Sequence, residues 1–194
     1  MTDLVLLMSK LVDPSGNILI PGVDDMVNIA DAEERYHITI QCTLPRILIT
    51  TKTREIYNRL DYSIADIEES VGAPIALSDD KVQVLMGRMR LPSLSLHGIE
   101  GAFYSTGAKT VIPAKVTGKF SLRLVPPQTP ESVNPLVTSY LEEEFKKLKS
   151  KNILKLEYLH GGRPWMADFK HWNFEAAKAA TVVRVDSIYL RISG

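Results

Sequence analysis

The sequence has few of the residues that would commit it to a specialised environment. One cysteine among 194 residues rules out an intramolecular disulfide and a cysteine-rich zinc site, and it fits a reducing compartment. Lysine plus arginine and aspartate plus glutamate both number 23, so no net charge would attract nucleic acid or an anionic membrane. No apolar run is long enough to span a bilayer. These absences predict a cytoplasmic protein without nucleic-acid or membrane partners.

Several sequence signatures of chemistry are missing as well. The glycines form no phosphate-binding loop of the G-x-G-x-x-G or G-x-x-x-x-G-K-[ST] type, and the serines form no G-x-S-x-G nucleophile elbow. The four histidines include no H-E-x-x-H zinc motif. One metal hypothesis stays open, in which Asp168 and His171 share a helix face and His160 completes the site. Surface and loop roles are the simpler interpretation of these three residues.

Helices are predicted where apolar residues recur at helical spacing. Such spacing occurs in residues 2–12 and 57–71, and residues 174–180 indicate a short final helix. A longer helix has two possible starts, Thr129-Pro130 and Asn134-Pro135, because each offers an N-cap followed by proline at the first helical position. If the earlier start is right, Pro135 lies inside the helix.

Strands are predicted where apolar and polar residues alternate. Residues 92–127 hold two alternating runs joined by a glycine-rich connection, which is typical of a pair of half-buried strands. Residues 154–158 alternate in the same way and predict a third strand, whereas residues 82–89 are a short mixed segment and residues 181–194 are again strand-like. The order of the elements predicts an α+β fold with helices on one face of an antiparallel sheet.

The second central strand carries the best ligand-binding candidate. Apolar and polar side chains alternate through residues 119–124, so Arg123 lies on the polar side. A guanidinium fixed on a regular strand suits a carboxylate, although an exposed strand arginine is usually only solvated. His97 lies on the polar side of the first strand, where a hydrogen-bonded structural role is the simpler interpretation. The residues alone therefore predict a globular α+β module with at most one carboxylate-binding arginine.

Three long motifs point to a family. The segments PSLSLHGIEGAF (92–103), GAKTVIPAKVTGKFSLRLVP (107–126) and HGGRPWMADF (160–169) closely resemble the cytosolic non-specific dipeptidase and carnosine dipeptidase family, which are di-metal metallopeptidases. The resemblance begins at Met1 and resumes from about residue 55 to about residue 180. It covers the lid, or dimerisation, domain of that family, and it implies a ferredoxin-like βαββαβ fold that lacks its first strand.

The resemblance implies a hydrolase of dipeptides that works as a homodimer with two bridged divalent ions, zinc or manganese. Three substrate-contacting positions are carried over. Thr110 of the GAKTVIP motif would contact substrate in the partner's site, Arg123 of FSLRLVP would hold the substrate carboxylate, and His160 of HGGRPW would lie near the site. The metal ligands and the general base of the family match no residue here, so we expect no catalytic residue and no bound metal in this chain.

Two functional hypotheses follow from the resemblance. The first is a dimerisation lid that contacts substrate and is inactive alone, because the metals that activate water are held elsewhere. The alternative is a non-catalytic interaction module that dimerises with a full-length dipeptidase.

Abrupt changes of composition at Arg35 and Val182 divide the chain. They suggest an incomplete or alternatively spliced gene product, whose first lid strand is expected to precede Met1. Residues 35–52 are rich in β-branched residues and predict one or two strands broken at Pro45. The expected segments are a first lid helix with its connection (1–34), an insert unlike the family (35–54), the lid core (55–160), the start of the return to the catalytic domain (161–181) and a tail unlike the family (182–194).

Overall fold

A computed structural model describes residues 1–27, 51–74, 78–167 and 170–192. This part of the chain contains a two-stranded antiparallel sheet and six α-helices, and the whole chain divides into two compact units, Met1–Pro164 and Trp165–Gly194. The elements are α1 (Thr2–Met8), α2 (Thr51–Asn58), α3 (Ile64–Val71), α4 (Lys81–Met89), β1 (Ser93–Glu100), β2 (Thr117–Arg123), α5 (Pro130–Lys147) and α6 (Trp172–Ile192).

The main core of the first unit lies between the β1–β2 hairpin and the helices α1 and α5. Phe120 and Leu122 of β2 are half-buried against this core, while their polar neighbours point away from it. The prediction of an α+β fold with helices on one face of an antiparallel sheet is therefore confirmed. The buried residues of the core are Leu7, Leu11, Ile18, Ile20, Val23, Leu94, Val133 and Leu141.

The predicted first helix is shorter than its apolar spacing indicates. α1 ends at Met8, and the chain then turns through residues 13–16 to form an isolated bridge between Val12 and Ile18. The carboxylate of Asp13 accepts a hydrogen bond from the Asn17 backbone N–H at 2.7 Å, which stabilises this turn. Leu11 stays buried although it lies beyond the helix, because the turn folds back onto the same core.

A second set of buried side chains belongs to α3 and α4. Together with α2 we call these helices the helical cluster (residues 51–74 and 78–91). Residues 57–71 do not form one helix as predicted, because α2 ends at Asn58 and a capping box between Ser63 and Asp66 starts α3. The mixed segment at 82–89 is the helix α4, which Asp80 caps. The buried residues of this cluster are Ile67, Val82, Leu85 and Met86.

The Asp80 carboxylate also joins two helices of the helical cluster. It accepts a hydrogen bond from Arg54 at 2.8 Å and caps α4 through the Val82 N–H at 2.9 Å. Desolvation acts to raise the pKa of Asp80, but these two hydrogen bonds, the Arg54 charge and a hydrogen bond from the Gln83 backbone together lower the pKa below its usual range. Asp80 therefore stays ionised at neutral pH and holds the N-terminus of α4 beside α2.

Of the two possible starts for the long helix, the earlier one is confirmed. Thr129 caps α5 by accepting a hydrogen bond from the Ser132 N–H, Pro130 occupies the first helical position, and Pro135 lies inside the helix. The hydroxyl of Tyr140 donates to the Lys10 carbonyl at 2.9 Å and so ties α5 to the end of α1.

Two strand predictions are wrong. In residues 154–158, Leu154 and Leu156 pack on the core but Tyr158 is 53% exposed, and the described chain provides no neighbouring strand to which the segment is paired. Residues 181–192 continue α6, which begins at Trp172. The alanines at 176, 177, 179 and 180 favour a helix strongly enough to outweigh the β-branched residues that follow.

No helix in the described ranges is both long and apolar enough to cross a membrane. The strands predicted for residues 35–52 lie outside the described residues, except that residues 51 and 52 begin α2.

Gln128 is a buried polar residue that follows the hairpin and bonds backbone groups on both sides of it. Its side chain is 1% exposed. The Nε2 group donates to the Val23 carbonyl at 2.7 Å, and Oε1 accepts from the Val125 N–H at 3.0 Å. One side chain thus satisfies two backbone groups from segments that are distant in sequence.

Replacing Gln128 by leucine should destabilise the fold by about 2 to 4 kcal/mol, because two buried backbone groups lose their partners. Chemical denaturation followed by circular dichroism measures the free energy of unfolding. The matched control is Gln83→Leu, since the Gln83 side chain is exposed and accepts a hydrogen bond from the Ser78 hydroxyl rather than satisfying a buried backbone group. Equal effects of the two substitutions would contradict the role assigned to Gln128.

The Asp3 carboxylate should make stability depend on acid pH. Hydrogen bonds from Ser150 at 2.5 Å and Asn152 at 2.7 Å lower the pKa of Asp3. A carboxyl whose pKa is lowered by folding stabilises the protein at neutral pH, and that stabilisation is lost as the pH falls through the folded-state pKa. Asp3→Asn should therefore be less stable than the wild type at pH 7, with a difference that shrinks below about pH 4.

Thermal melts of both proteins between pH 3 and pH 7 measure this difference. Asp25→Asn, at an exposed aspartate, should show no such convergence. A difference between Asp3→Asn and wild type that stays constant with pH would contradict the assignment.

Candidate functional site

The candidate site is built on the solvent-facing side of the hairpin, which we call the polar face. β1 and β2 pair antiparallel, with Leu94 opposite Leu122 and Ser95 opposite Ser121. The register shifts between Leu96 and Gly98. Because side chains alternate across a strand, polar groups from both strands collect on one side. They are Ser93, Ser95, His97, Glu100, Thr117, Lys119, Ser121 and Arg123.

His97 is the extra residue at this register shift, and so it marks a β-bulge. It has no partner on β2 in the pairing register. Its Nε2 lies 2.7 Å from the Ser121 hydroxyl, within hydrogen-bonding distance across the strands. Further along, Lys119 forms an ion pair with Glu100. The polar face therefore has its own cross-strand contacts, and the structure agrees with the interpretation of His97 as a hydrogen-bonded residue.

Arg123 ends β2 and reaches the C-terminus of α4. Its Nη1 donates to the Arg88 carbonyl at 2.8 Å. Its Nη2 donates to the Gly87 carbonyl at 2.6 Å and to the Leu91 carbonyl at 2.7 Å. The side chain is exposed, as the alternation predicts, but its guanidinium is held by three carbonyls rather than only by water. A cation is favoured there, because the last carbonyls of a helix carry partial negative charge.

Thr110 lies in the connection between the strands, residues 101–116, which we call the hairpin loop. The loop begins at Gly101, whose φ of 85° is in the left-handed region, and a Cβ there would collide with the Lys115 carbonyl oxygen. Thr110 itself is exposed. The Lys109 ammonium lies 5.0 Å from the centre of the Phe103 ring, in a cation–π contact.

His160 lies in the irregular segment after α5 and is exposed. Its neighbour Gly161 packs so closely that a Cβ there would clash with the Tyr158 hydroxyl and make a tight contact with Pro130. Arg163 approaches Glu131 at 3.4 Å. The pKa of Glu131 is lowered, chiefly by its own N–H and the Thr129 hydroxyl, with the Arg163 charge contributing. These contacts bring the histidine segment to the start of α5.

The three predicted substrate-contacting residues thus lie on three separate segments of the first unit. Thr110 is in the hairpin loop, Arg123 ends β2 and His160 follows α5. No hydrogen bond or ion pair within the described ranges joins any two of them. Their meeting at one ligand therefore stays a prediction.

The metal hypothesis gains no support from the described residues. In that part of the chain, no three His, Cys, Asp or Glu side chains are grouped so that they could hold a metal ion. Asp168 lies outside the described residues. His171 precedes α6, where its Nδ1 accepts a hydrogen bond from the Asn173 N–H at 3.3 Å. The described residues therefore do not fit a metal site.

Comparison with known proteins decides the family. The peptidase dimerisation domain family matches residues 51–149, which include the helical cluster, the hairpin and α5. The chain belongs to this family. The match therefore includes Thr110 and Arg123 but ends before His160.

The relatives of this chain include dipeptidases. The chain is 45% identical over 181 residues to the Cys-Gly metallodipeptidase dug1 of Schizosaccharomyces pombe, and the alignment covers 93% of this chain and 34% of that protein. It is 39% identical over 188 residues to the Beta-Ala-His dipeptidase of Rattus norvegicus, covering 96% of this chain and 34% of the relative. The chain thus spans about a third of the length of these relatives.

Solved structures of dipeptidases contain the same fold. A structure of the dipeptidase Dug1p from Saccharomyces cerevisiae, described in terms of substrate recognition, superposes with a TM-score of 0.78 at 40% identity, covering 94% of this chain and 34% of that one. Human carnosine dipeptidase 1 superposes with a TM-score of 0.78 at 38% identity, covering 94% of this chain and 35% of the other. The predicted resemblance to the dipeptidase family is confirmed.

Sequence reasoning missed the contacts that organise the site. The bulge at His97 had a weak signal, since His97 is followed by Gly98 and glycine inside a strand often marks a bulge. The partners of Arg123 had no local signal, because they lie 32 to 36 residues earlier in the chain. Only the folded chain brings the end of β2 to α4.

Replacing Gly101 by alanine should destabilise the hairpin by at least about 1 to 2 kcal/mol, because alanine disfavours the left-handed backbone and its Cβ clashes with the Lys115 carbonyl. The control is Gly98→Ala, where a Cβ would meet no atom within 4 Å and φ is not positive. Urea unfolding of both variants measures the effect. A Gly98→Ala variant as unstable as Gly101→Ala would contradict the explanation.

Proposed function

We propose that this dimerisation domain is the substrate-contacting lid of a metallodipeptidase, and that it hydrolyses no dipeptide by itself. The observation that carries the proposal is the coincidence of the family match with a rigid polar face that ends in an exposed arginine. The chain would then supply part of a substrate-binding surface, and the reacting centre would lie in the part of a full-length dipeptidase that this chain, at about a third of the relatives' length, does not cover.

Arg123 is the proposed carboxylate-binding residue. A dipeptide ends in a carboxylate, and a planar guanidinium binds such a group through two parallel hydrogen bonds. The position supports this role, because Arg123 is anchored on a paired strand opposite Ser93 rather than on a loop. Anchoring reduces the entropy lost when the ligand binds.

Thr110 and His160 are the other proposed contacts. Thr110 has an exposed hydroxyl on the hairpin loop, so it is available to a ligand held by a second subunit. His160 is exposed beside the closely packed Gly161, and a neutral imidazole there can either donate or accept a hydrogen bond. We propose that Thr110 acts across a homodimer, with His160 and Arg123 contacting substrate within one subunit.

The metals and the general base are proposed to lie outside this chain. The divalent ions, zinc or manganese, would activate water in the remainder of a full-length dipeptidase. The predicted division of the chain stays part of this proposal: residues 55–160 would form the lid core, and residues 161–181 would lead back toward the catalytic domain.

An alternative function is an interaction module that pairs with a full-length dipeptidase. The hairpin loop supports it, because Tyr104 and Ile112 are each 96% exposed and Val111 is 61% exposed. Large apolar side chains at the surface favour association with another protein. We place this alternative second, because a homodimer of the same domain would cover the same loop.

A hydrolysis assay tests the proposed inactivity. The purified chain should cleave neither Cys-Gly nor β-Ala-His when supplied with Mn²⁺ or Zn²⁺, and it should retain no stoichiometric metal after dialysis. A full-length dipeptidase assayed in the same buffers is the positive control. Turnover together with bound metal, measured by elemental analysis, would overturn the lid proposal.

Light scattering coupled to gel filtration tests the assembly. A homodimer is expected, and Ile112→Lys should shift it toward monomer because the substitution places a charge in the proposed apolar contact. Lys115→Arg, which keeps the charge of the same loop, is the control. A monomer that co-purifies with full-length dipeptidase would instead favour the interaction module.

A further inference from the structure

The C-terminus of α4 depends on Arg123 for hydrogen bonds. The Arg90 and Leu91 N–H groups both bond to the Met86 carbonyl, at 2.8 and 3.0 Å. The next carbonyls, of Gly87 and Arg88, therefore lack these N–H groups as partners, as is usual in the last turn of a helix. The guanidinium of Arg123 donates to both.

The bonding pattern at Arg123 conflicts with two-pronged carboxylate binding. A carboxylate binds a guanidinium in parallel either through Nη1 and Nη2 or through Nε and Nη2, so both arrangements require Nη2. Nη2 carries two N–H groups and already donates to two carbonyls, those of Gly87 and Leu91. A carboxylate can therefore bind in parallel fashion only if at least one of these carbonyls releases the guanidinium.

The same bonds connect two packed regions of the first unit. The buried residues of the helical cluster, such as Leu85 and Met86, do not belong to the buried core beneath the hairpin. Between the helical cluster and β2, the described residues make no hydrogen bond besides the three from Arg123. Whatever removes the guanidinium from α4 also removes this connection.

We propose that carboxylate binding at Arg123 and full capping of the α4 end by Arg123, through the Gly87, Arg88 and Leu91 carbonyls together, exclude each other, so that an occupied site loosens the C-terminus of α4 from the hairpin. This inference rests on the proposed carboxylate role of Arg123. Because coupling between two equilibria is reciprocal, capping of α4 by Arg123 must weaken carboxylate binding by the same factor by which bound carboxylate weakens the cap. Arg123 is then a switch between a free lid and a ligand-bound lid.

Nuclear magnetic resonance on the full 194-residue chain tests the exclusion directly. The probe is N-acetylglycine, which carries a carboxylate, and the control ligand is its neutral amide, N-acetylglycinamide. The Arg123 Nε–Hε signal reports binding, and the exchange rates of the Arg90 and Leu91 amides report the α4 cap. N-acetylglycine should shift the Arg123 signal and speed exchange of both amides at least about fivefold, whereas the amide should do neither.

Two variants and one control variant distinguish a guanidinium that both caps α4 and binds a carboxylate from one that only caps α4. Arg123→Lys should speed amide exchange without ligand and abolish the response to N-acetylglycine, while Arg163→Lys should behave as wild type. Gly87→Ala should stabilise α4, since a Cβ there meets no atom within 4 Å, and it should weaken N-acetylglycine binding although Arg123 is intact.

Each remaining outcome contradicts a different claim. A shift of Arg123 with unchanged exchange at Arg90 and Leu91 would overturn the exclusion and leave the proposed carboxylate site standing. No shift of Arg123 at any accessible N-acetylglycine concentration would overturn both the carboxylate role and the inference. Binding to Gly87→Ala as tight as to wild type would contradict the reciprocal coupling.

Discussion

The register of β1 against β2 is the constraint on which this structure depends. In a half-buried hairpin, a slip of one residue would send every side chain to the opposite face. The pairing of Leu94 with Leu122 places apolar side chains over α1 and α5, and it leaves Arg123 on the outside. The bulge at His97 changes this register midway, and Gly98 to Glu100 then pair with residues 119 to 117. The core and the polar face therefore follow from one pairing.

Arg123 is subject to two physical demands. As the last residue of β2 it is fixed by the hairpin, and as a cation it satisfies carbonyls at the end of α4. The proposed substrate role adds a third partner for the same guanidinium. Because the guanidinium would serve both the substrate carboxylate and the end of α4, substrate binding would be linked to the position of α4. The exposed hairpin loop, with Thr110, would extend that link to a second subunit.

Local sequence patterns predicted much of the fold but few of the contacts at the candidate site. Period-2 alternation placed Arg123 on the polar side, and Thr129-Pro130 marked the start of α5, because both signals lie within a few residues. The helix α4 was missed, since Gly87 interrupts a short segment of weak pattern. Residues 154–158 show that alternation of apolar and polar residues does not ensure a partner strand. The contacts of Arg123 required tertiary structure.

A measurement of which residues of β1 face which residues of β2 is the most direct test of the hairpin and its polar face. Nuclear Overhauser effects between backbone protons of facing residues report which residues are paired in a hairpin. The pairing in this structure predicts contacts between Ser95 and Ser121 and between Gly98 and Lys119, with His97 bulged between them. Contacts that place His97 opposite Lys119 would mean an unbroken register, which would contradict the bulge and the arrangement of the polar face derived from it.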